Sequence, residues 1–144
     1  MYPEQIVGPM RQELTRVGFK ELRTSEEVDA TLKDEKGTVL VVVNSVCGCA
    51  AGKARPAIVH SLQNAARPDV LATVFAGQDQ EATARARGYF AGYTPSSPSI
   101  ALMRDGKVAF MLERRDIESS DAFGISNALK QAFDKFCTPA AARQ

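Results

Sequence analysis

The run Thr38-Val39-Leu40-Val41-Val42-Val43 reads as a buried strand, and it leads into the triplet Cys47-Gly48-Cys49 and an Ala-rich segment able to start a helix. Two thiols one residue apart at a strand-to-helix junction are poorly placed for stapling a fold. A bridge between them closes a very small loop, and loop closure is what gives a disulfide most of its stabilising effect. The bridge also demands particular Cα and Cβ separations. The pair makes more sense as chemistry, with one thiolate attacking and the other resolving.

The elements around this junction set the fold class. Ile6, Val7, Met10, Leu14 and Val17 recur at helical spacing over residues 3–17, with Gly18 as the stop. Thr24 and Glu27 have the spacing of a capping box opening a second helix with Val28 and Leu32. After the strand at 38–44, a helix over about 50–66 is interrupted by Pro56, which kinks it or marks its restart. Val70–Phe75 is a second strand, and Asp79 is expected to cap a helix reaching about Phe90. Ser99–Met103 and Lys107–Leu112 are two more strands joined by an Asp105-Gly106 hairpin. The last helix opens at Ser119, Ser120 or Asp121 and carries Ile125, Leu129, Phe133 and Phe136 on one stripe. Strands joined through helices imply parallel pairing, and the hairpin adds an antiparallel edge. The expected fold is therefore α/β, a central mixed sheet of about four strands flanked by helices, with reactive groups gathered at strand C-termini, where Cys47 lies.

Length and charge bound the function. The 144 residues make one domain, expected to span 1–144, large enough to fold without staples. With 18 basic and 17 acidic residues and no basic block, nucleic acid is a poor partner. No apolar run approaches the roughly 20 residues needed to span a bilayer. The start, Met1-Tyr2-Pro3-Glu4-Gln5, lacks the basic and apolar regions of a signal peptide, so a cytoplasmic location is expected, where thiols are kept reduced. Three cysteines make no disulfide framework, and in that compartment a close pair points to redox catalysis or metal. Metal is the weaker reading because it needs more ligands. The single histidine, His60, lies further along the same helix, and Cys137 is distant in sequence.

The order of elements, with a dithiol between a strand and a kinked helix, resembles the thioredoxin fold. More narrowly, Val41-Val42-Val43-Asn44-Ser45-Val46-Cys47-Gly48-Cys49-Ala50-Ala51-Gly52 and Ala54-Arg55-Pro56-Ala57 resemble the bacilliredoxins, bacterial thioredoxin-like proteins with a Cys-Gly-Cys site. Val74-Phe75-Ala76-Gly77-Gln78-Asp79, Glu81-Ala82-Thr83, Pro95-Ser96-Ser97-Pro98-Ser99, the N-terminal Val7-Gly8-Pro9-Met10-Arg11 and the late Cys137 extend the match over nearly the whole chain. The chain departs from thioredoxin itself in lacking Cys-x-x-Cys spacing and any tryptophan. The resemblance implies a thiol–disulfide oxidoreductase that removes bacillithiol, a low-molecular-weight thiol, from protein mixed disulfides. It also implies disulfide isomerisation as a second activity, as described for some relatives. Bacillithiol would be a co-substrate, with no tightly bound cofactor. The partners would be bacillithiolated or disulfide-bonded client proteins and a flavin- and NADPH-dependent recycling reductase.

Exchange needs a thiolate, and a helix N-terminus favours one through unpaired N–H groups and its dipole. Cys47, the first thiol beyond the strand, is the expected nucleophile, and Cys49 the resolving thiol or a modulator. Gly48 allows backbone conformations that a Cβ would resist. The resemblance makes Pro98 a cis-proline facing the dithiol, so Pro98, Ser97, Gly48 and Arg55 are the candidate substrate-binding residues. Arg55 is read either as binding an acidic group of bacillithiol or, preferably, as a solvated helix residue. Lys53 is a further source of positive charge. Cys137 is a candidate third redox thiol or an incidental one. Asn44 and Ser45 either hydrogen-bond around the site or merely end the strand, and Arg114-Arg115-Asp116 is read as a solvated turn. A non-catalytic metal-carrying or redox-sensing module is the alternative from another functional class.

Overall fold

A computed structural model describes residues 1–33 and 36–138; residues 139–144 of the expected 1–144 domain, and 34–35, lie outside the described residues. The chain runs α1 (Glu4–Thr15), β1 (Lys20–Glu21), α2 (Ser25–Leu32), β2 (Thr38–Asn44), a π-helical turn (Ala50–Ala54), α3 (Arg55–Ser61), β3 (Val70–Phe75), α4 (Gln80–Arg87), β4 (Ser99–Arg104), β5 (Lys107–Leu112), α5 (Arg114–Glu118) and α6 (Ala122–Phe136). The five strands form one mixed sheet in the order β1-β3-β2-β4-β5. β1 and β2 each pair parallel with β3, whereas β4 runs antiparallel to both β2 and β5.

The strand expected from the aliphatic run is central, and all seven of its residues are buried. Side chains alternate across a strand, so Leu40 and Val42 enter one core cluster while Val39, Val41 and Val43 enter the other. Covering both faces is why the sequence shows a continuous apolar run instead of alternation. One face packs against α3 and α6, and the other against α2 and α4.

The sheet has one strand more than expected. β1 is two residues long, too short to carry a period-two pattern, and it forms because Lys20 and Glu21 pair with Ala72 and Thr73. The predicted hairpin is present. Asp105 and Gly106 both have positive φ, 52° and 83°, as a type I′ turn requires. Thr24 caps α2 by accepting the Glu27 N–H at 3.1 Å, while Glu27 reaches back to the N–H of Arg23 rather than Thr24, so the box is displaced by one residue.

Asp79 sits at the N-cap of α4 but makes no capping hydrogen bond with its side chain. Its carboxylate instead meets Arg11 of α1, which is 4% exposed and also pairs with Glu4 and Glu21 at 3.0 and 2.5 Å. Burial works against the Arg11 charge, but bonds to Asp79 and Glu4 outweigh it, and its pKa is raised. The guanidinium also lies 5.1 Å from the centroid of the Phe75 ring. This cation ties α1, β1 and α4 together. Removing one partner of a buried ion pair costs about 3–5 kcal/mol because the others are left uncompensated. Arg11→Ala is therefore expected to lose about 3 kcal/mol of stability, measured by denaturant unfolding.

Candidate active site

Strand register builds the site. β2 runs out at Asn44, and its antiparallel partner β4 begins opposite Val43 at Ser99. The chain leaving β2 toward Cys47 and the chain entering β4 from Pro98 therefore meet at one end of the sheet. β5 ends at that same end, because Ile100 pairs with Leu112, and delivers Glu113 and α5 there. The Ser97–Pro98 peptide bond is cis, and Pro98 is buried while Ser97 is half-buried.

Helical backbone starts at Gly48, and the Cys47 carbonyl accepts from the N–H groups of Ala50 and Ala51, both at 3.1 Å. Cys47 thus stands where the helix has donors to spare. The next turn is π-helical: the Arg55 N–H bonds to the Ala50 carbonyl, five residues back. Pro56 explains this. It has no N–H to give Gly52, and its ring would crowd that carbonyl in a regular helix, so the turn widens ahead of it. The interruption expected from Pro56 is therefore a π turn at 50–54, and α3 ends at Ser61, not 66.

The Ser45 hydroxyl does two jobs at Cys47. It donates to Sγ at 3.2 Å and accepts the Cys47 N–H at 3.3 Å. Partial burial pushes the Cys47 thiol up. The hydroxyl of Ser45, the N–H groups of Ala50 and Cys49 and the positive charge of Arg114 pull it down further, so the net shift is downward. All three cysteines are half-buried, and none is joined in a disulfide. Cys49 lends its N–H to its neighbour and packs its own side chain against the core. Gly48 is exposed, its φ is not positive, and a Cβ there would meet nothing within 4 Å. The expectation that glycine is needed here for its backbone freedom is thus corrected: the backbone is one that other residues adopt, and a side chain would find open space.

Arg55 corrects the sequence reading most sharply. Read as a solvated residue or a contact for an acidic ligand, it is 1% exposed and turned inward. Its Nη1 donates to Asn44 Oδ1 at 2.9 Å and to the Ser45 carbonyl at 2.8 Å. Its Nε lies 3.1 Å from Glu13 Oε1, an ion pair poorly aligned for a hydrogen bond. Helical spacing cannot reveal this, because the partners come from a strand end and from α1. Asn44 and Ser45 do more than end the strand: the Asn44 side chain accepts the Ser45 N–H at 2.9 Å and donates to the Met10 carbonyl at 3.3 Å.

Arg114 is exposed, as the reading of a solvated turn has it, but it stands on a helix and holds the segment before Pro98. It opens α5, whose N-terminus is closed by a reciprocal box between Glu113 and Asp116. Its Nη1 donates to the Ser97 carbonyl at 3.0 Å and its N–H to Ser96 Oγ at 3.3 Å, so it grips the segment before the cis-proline. Arg87 Nη2 donates to the Ser96 carbonyl at 3.2 Å. An open cleft of about 640 Å³ is lined by Thr94, Ser96, Glu113, Arg114, Arg115 and Ser119, among others. Among its lining residues, Arg114 carries the charge that acts on Cys47. The sequence signal is a basic residue two positions past the last strand, at the sheet end that carries the thiols. Lys53 donates to the Glu118 carbonyl at 2.7 Å and joins the π turn to α5.

Cys137 is not brought to the pair. α6 starts three residues after α5, both pack on the π turn, and the C-terminal part of α6 is marked by Asn64 bonding Asp134 at 2.9 Å. Fifteen helical residues span about 22 Å, so Cys137 stands at the far end. Among the described residues, no group of three or more His, Cys, Asp or Glu side chains is placed to hold a metal ion, and no helix is long and apolar enough to cross a membrane.

A dithiol at the start of a kinked helix, one thiol held toward its anion and a cis-proline at the same end of a mixed five-stranded sheet, describes a thioredoxin-like thiol–disulfide oxidoreductase. Residues 2–137 match the family described as disulphide isomerase. The chain is 56% identical to a bacilliredoxin of Koribacter versatilis over 137 residues, covering 95% of this chain and 94% of that protein. It is 53% identical to one from Staphylococcus saprophyticus (95% and 94% covered) and 54% to one from Geobacillus kaustophilus (94% of each). The chain belongs to the bacilliredoxin family.

Proposed function

We propose that the protein removes bacillithiol from mixed disulfides with client proteins, with Cys47 as nucleophile and Cys49 as resolving thiol. The observation that carries this reading is the set of donors on Cys47: the Ser45 hydroxyl and two backbone N–H groups favour its anion. The Cys47 thiolate attacks the bacillithiol sulfur. The client–bacillithiol S–S bond breaks, the client leaves as a thiolate that takes a proton from solvent, and bacillithiol is carried on Cys47. The Cys49 thiolate then attacks Cys47 Sγ, forming the Cys47–Cys49 disulfide and expelling bacillithiol thiolate. Alternatively, free bacillithiol attacks the carried bacillithiol sulfur, freeing Cys47 and forming bacillithiol disulfide. Either disulfide is returned to thiols by two electrons from a flavin- and NADPH-dependent reductase. The protein needs no tightly bound cofactor for this and works in the cytoplasm. Ser97, Pro98 and the open backbone at Gly48 receive the client, and Arg114 lies where the small thiol's polar groups would reach the cleft. The test compares release from client proteins carrying bacillithiol or glutathione: faster release of bacillithiol supports the reading, and equal rates argue for general dithiol exchange.

Disulfide isomerisation is the second reading, favoured by the description of the matching family. A disulfide in so small a ring is strained, and donors that stabilise the reduced form make a pair more oxidising. The Cys47–Cys49 couple is expected to be less reducing than thioredoxin, whose potential is about −270 mV. A redox titration that returned a value that low would remove the basis for isomerase work.

A further inference from the structure

Arg55 heads the large side chains that are less than 2% exposed. A buried cation is retained only with good partners, because taking a charge out of water is costly. The partners here are not distributed at random. One nitrogen, Nη1, bonds both residues that connect β2 to the thiol segment, Asn44 Oδ1 at 2.9 Å and the Ser45 carbonyl at 2.8 Å. Ser45 in turn holds Cys47 through Sγ at 3.2 Å and through N–H at 3.3 Å. Behind the arginine, Glu13 lies 3.1 Å from Nε, and Asn44 donates to the Met10 carbonyl at 3.3 Å. This path gives the N-terminal helix, with its Val7–Arg11 segment, a link to the reacting sulfur.

We infer that Arg55 is a positioning residue for the Cys47 thiolate: it fixes the Asn44–Ser45 bend so that the Ser45 hydroxyl points at Sγ, and Glu13 and Met10 anchor that clamp to α1. The inference rests on Cys47 as the reactive thiol. A thiolate titration requires no substrate, however, so the clamp and the proposed reaction fail separately.

Lysine keeps the charge of arginine but presents a compact ammonium in place of the planar fork. Arg55→Lys therefore separates geometry from charge. In a Cys49→Ser, Cys137→Ser background, the ultraviolet absorbance of the Cys47 thiolate is followed against pH, with unfolding curves measured in parallel. The clamp predicts that Arg55→Lys moves the titration to higher pH and leaves several-fold less thiolate at neutral pH. Ser45→Ala should do the same, and the double variant should go no further than Ser45→Ala alone. Additive shifts would mean that Arg55 acts without Ser45, and a titration unchanged in folded Arg55→Lys would remove the clamp. Glu13→Ala decides the matter if Arg55→Lys fails to fold, since the Glu13 side chain is 42% exposed. Loss of its negative charge alone would make the thiolate easier to form, whereas a loosened clamp makes it harder. A titration moved to higher pH supports the inference, and one moved to lower pH or left in place overturns it.

Discussion

Cys47→Ser is expected to abolish release of the small thiol from mixed disulfides, to at least a thousandfold below the parent protein, because serine at neutral pH offers no comparable nucleophile. Cys49→Ser should behave differently. Its first step keeps the attacking thiolate and the Ser45 hydroxyl at 3.2 Å, so one client thiol is released per protein molecule before the reaction stalls. Added free thiol should restart it. Stopped-flow measurement of client thiol release separates the two variants: no burst for Cys47→Ser, and a single-turnover burst for Cys49→Ser. A full burst from Cys47→Ser would reverse the assignment of the two sulfurs.

The second large effect is on pH dependence. The Cys47 pKa is lowered, against the opposing influence of burial, by Ser45, by the N–H groups of Ala50 and Cys49 and by Arg114. The rate of Cys47 alkylation should therefore rise with pH and level off below the range of a free cysteine, about 8.5. Ser45→Ala and Arg114→Gln each remove one favourable partner. Both should move the curve to higher pH and slow alkylation several-fold at neutral pH, with equal plateaus at alkaline pH. The same shift links to stability. The folded-state pKa is depressed below the unfolded value, so ionisation of Cys47 stabilises the fold fully above the unfolded pKa, and this contribution is lost as pH falls through the folded one. An alkylation curve for Ser45→Ala that overlays the parent would remove the hydroxyl from the account.

Features set by local pattern were legible in the sequence. The apolar run at 38–44 is the central strand, the Asp105-Gly106 turn has the backbone of a hairpin, and Asp121 caps α6 by accepting the Gly124 N–H at 2.7 Å. The Cys-Gly-Cys triplet stands at the mouth of a helix, as the Ala-rich segment after it implies. Features decided by distant partners were not legible. Arg55, Arg114 and Asp79 carry ordinary surface side chains in sequence. Each is claimed by groups more than ten residues away or on another element: Arg55 by Asn44 and Glu13, Arg114 by Ser97, Asp79 by Arg11. A charged residue has no periodicity that distinguishes a buried partner from solvent, so its role emerges only when the strand ends are brought together. β1 escaped for a similar reason, since a two-residue strand is defined by its neighbour β3 and not by its own composition.

In the proposed chemistry Cys47 takes the small thiol from the client and Cys49 clears it. This chemistry is tested most directly by intact-protein and peptide mass spectrometry of the Cys49→Ser variant after mixing with bacillithiolated protein. The account predicts one bacillithiol per molecule, located on the peptide containing Cys47, and no adduct on Cys137. An adduct confined to Cys137, or client protein attached to Cys47 in place of bacillithiol, would contradict it.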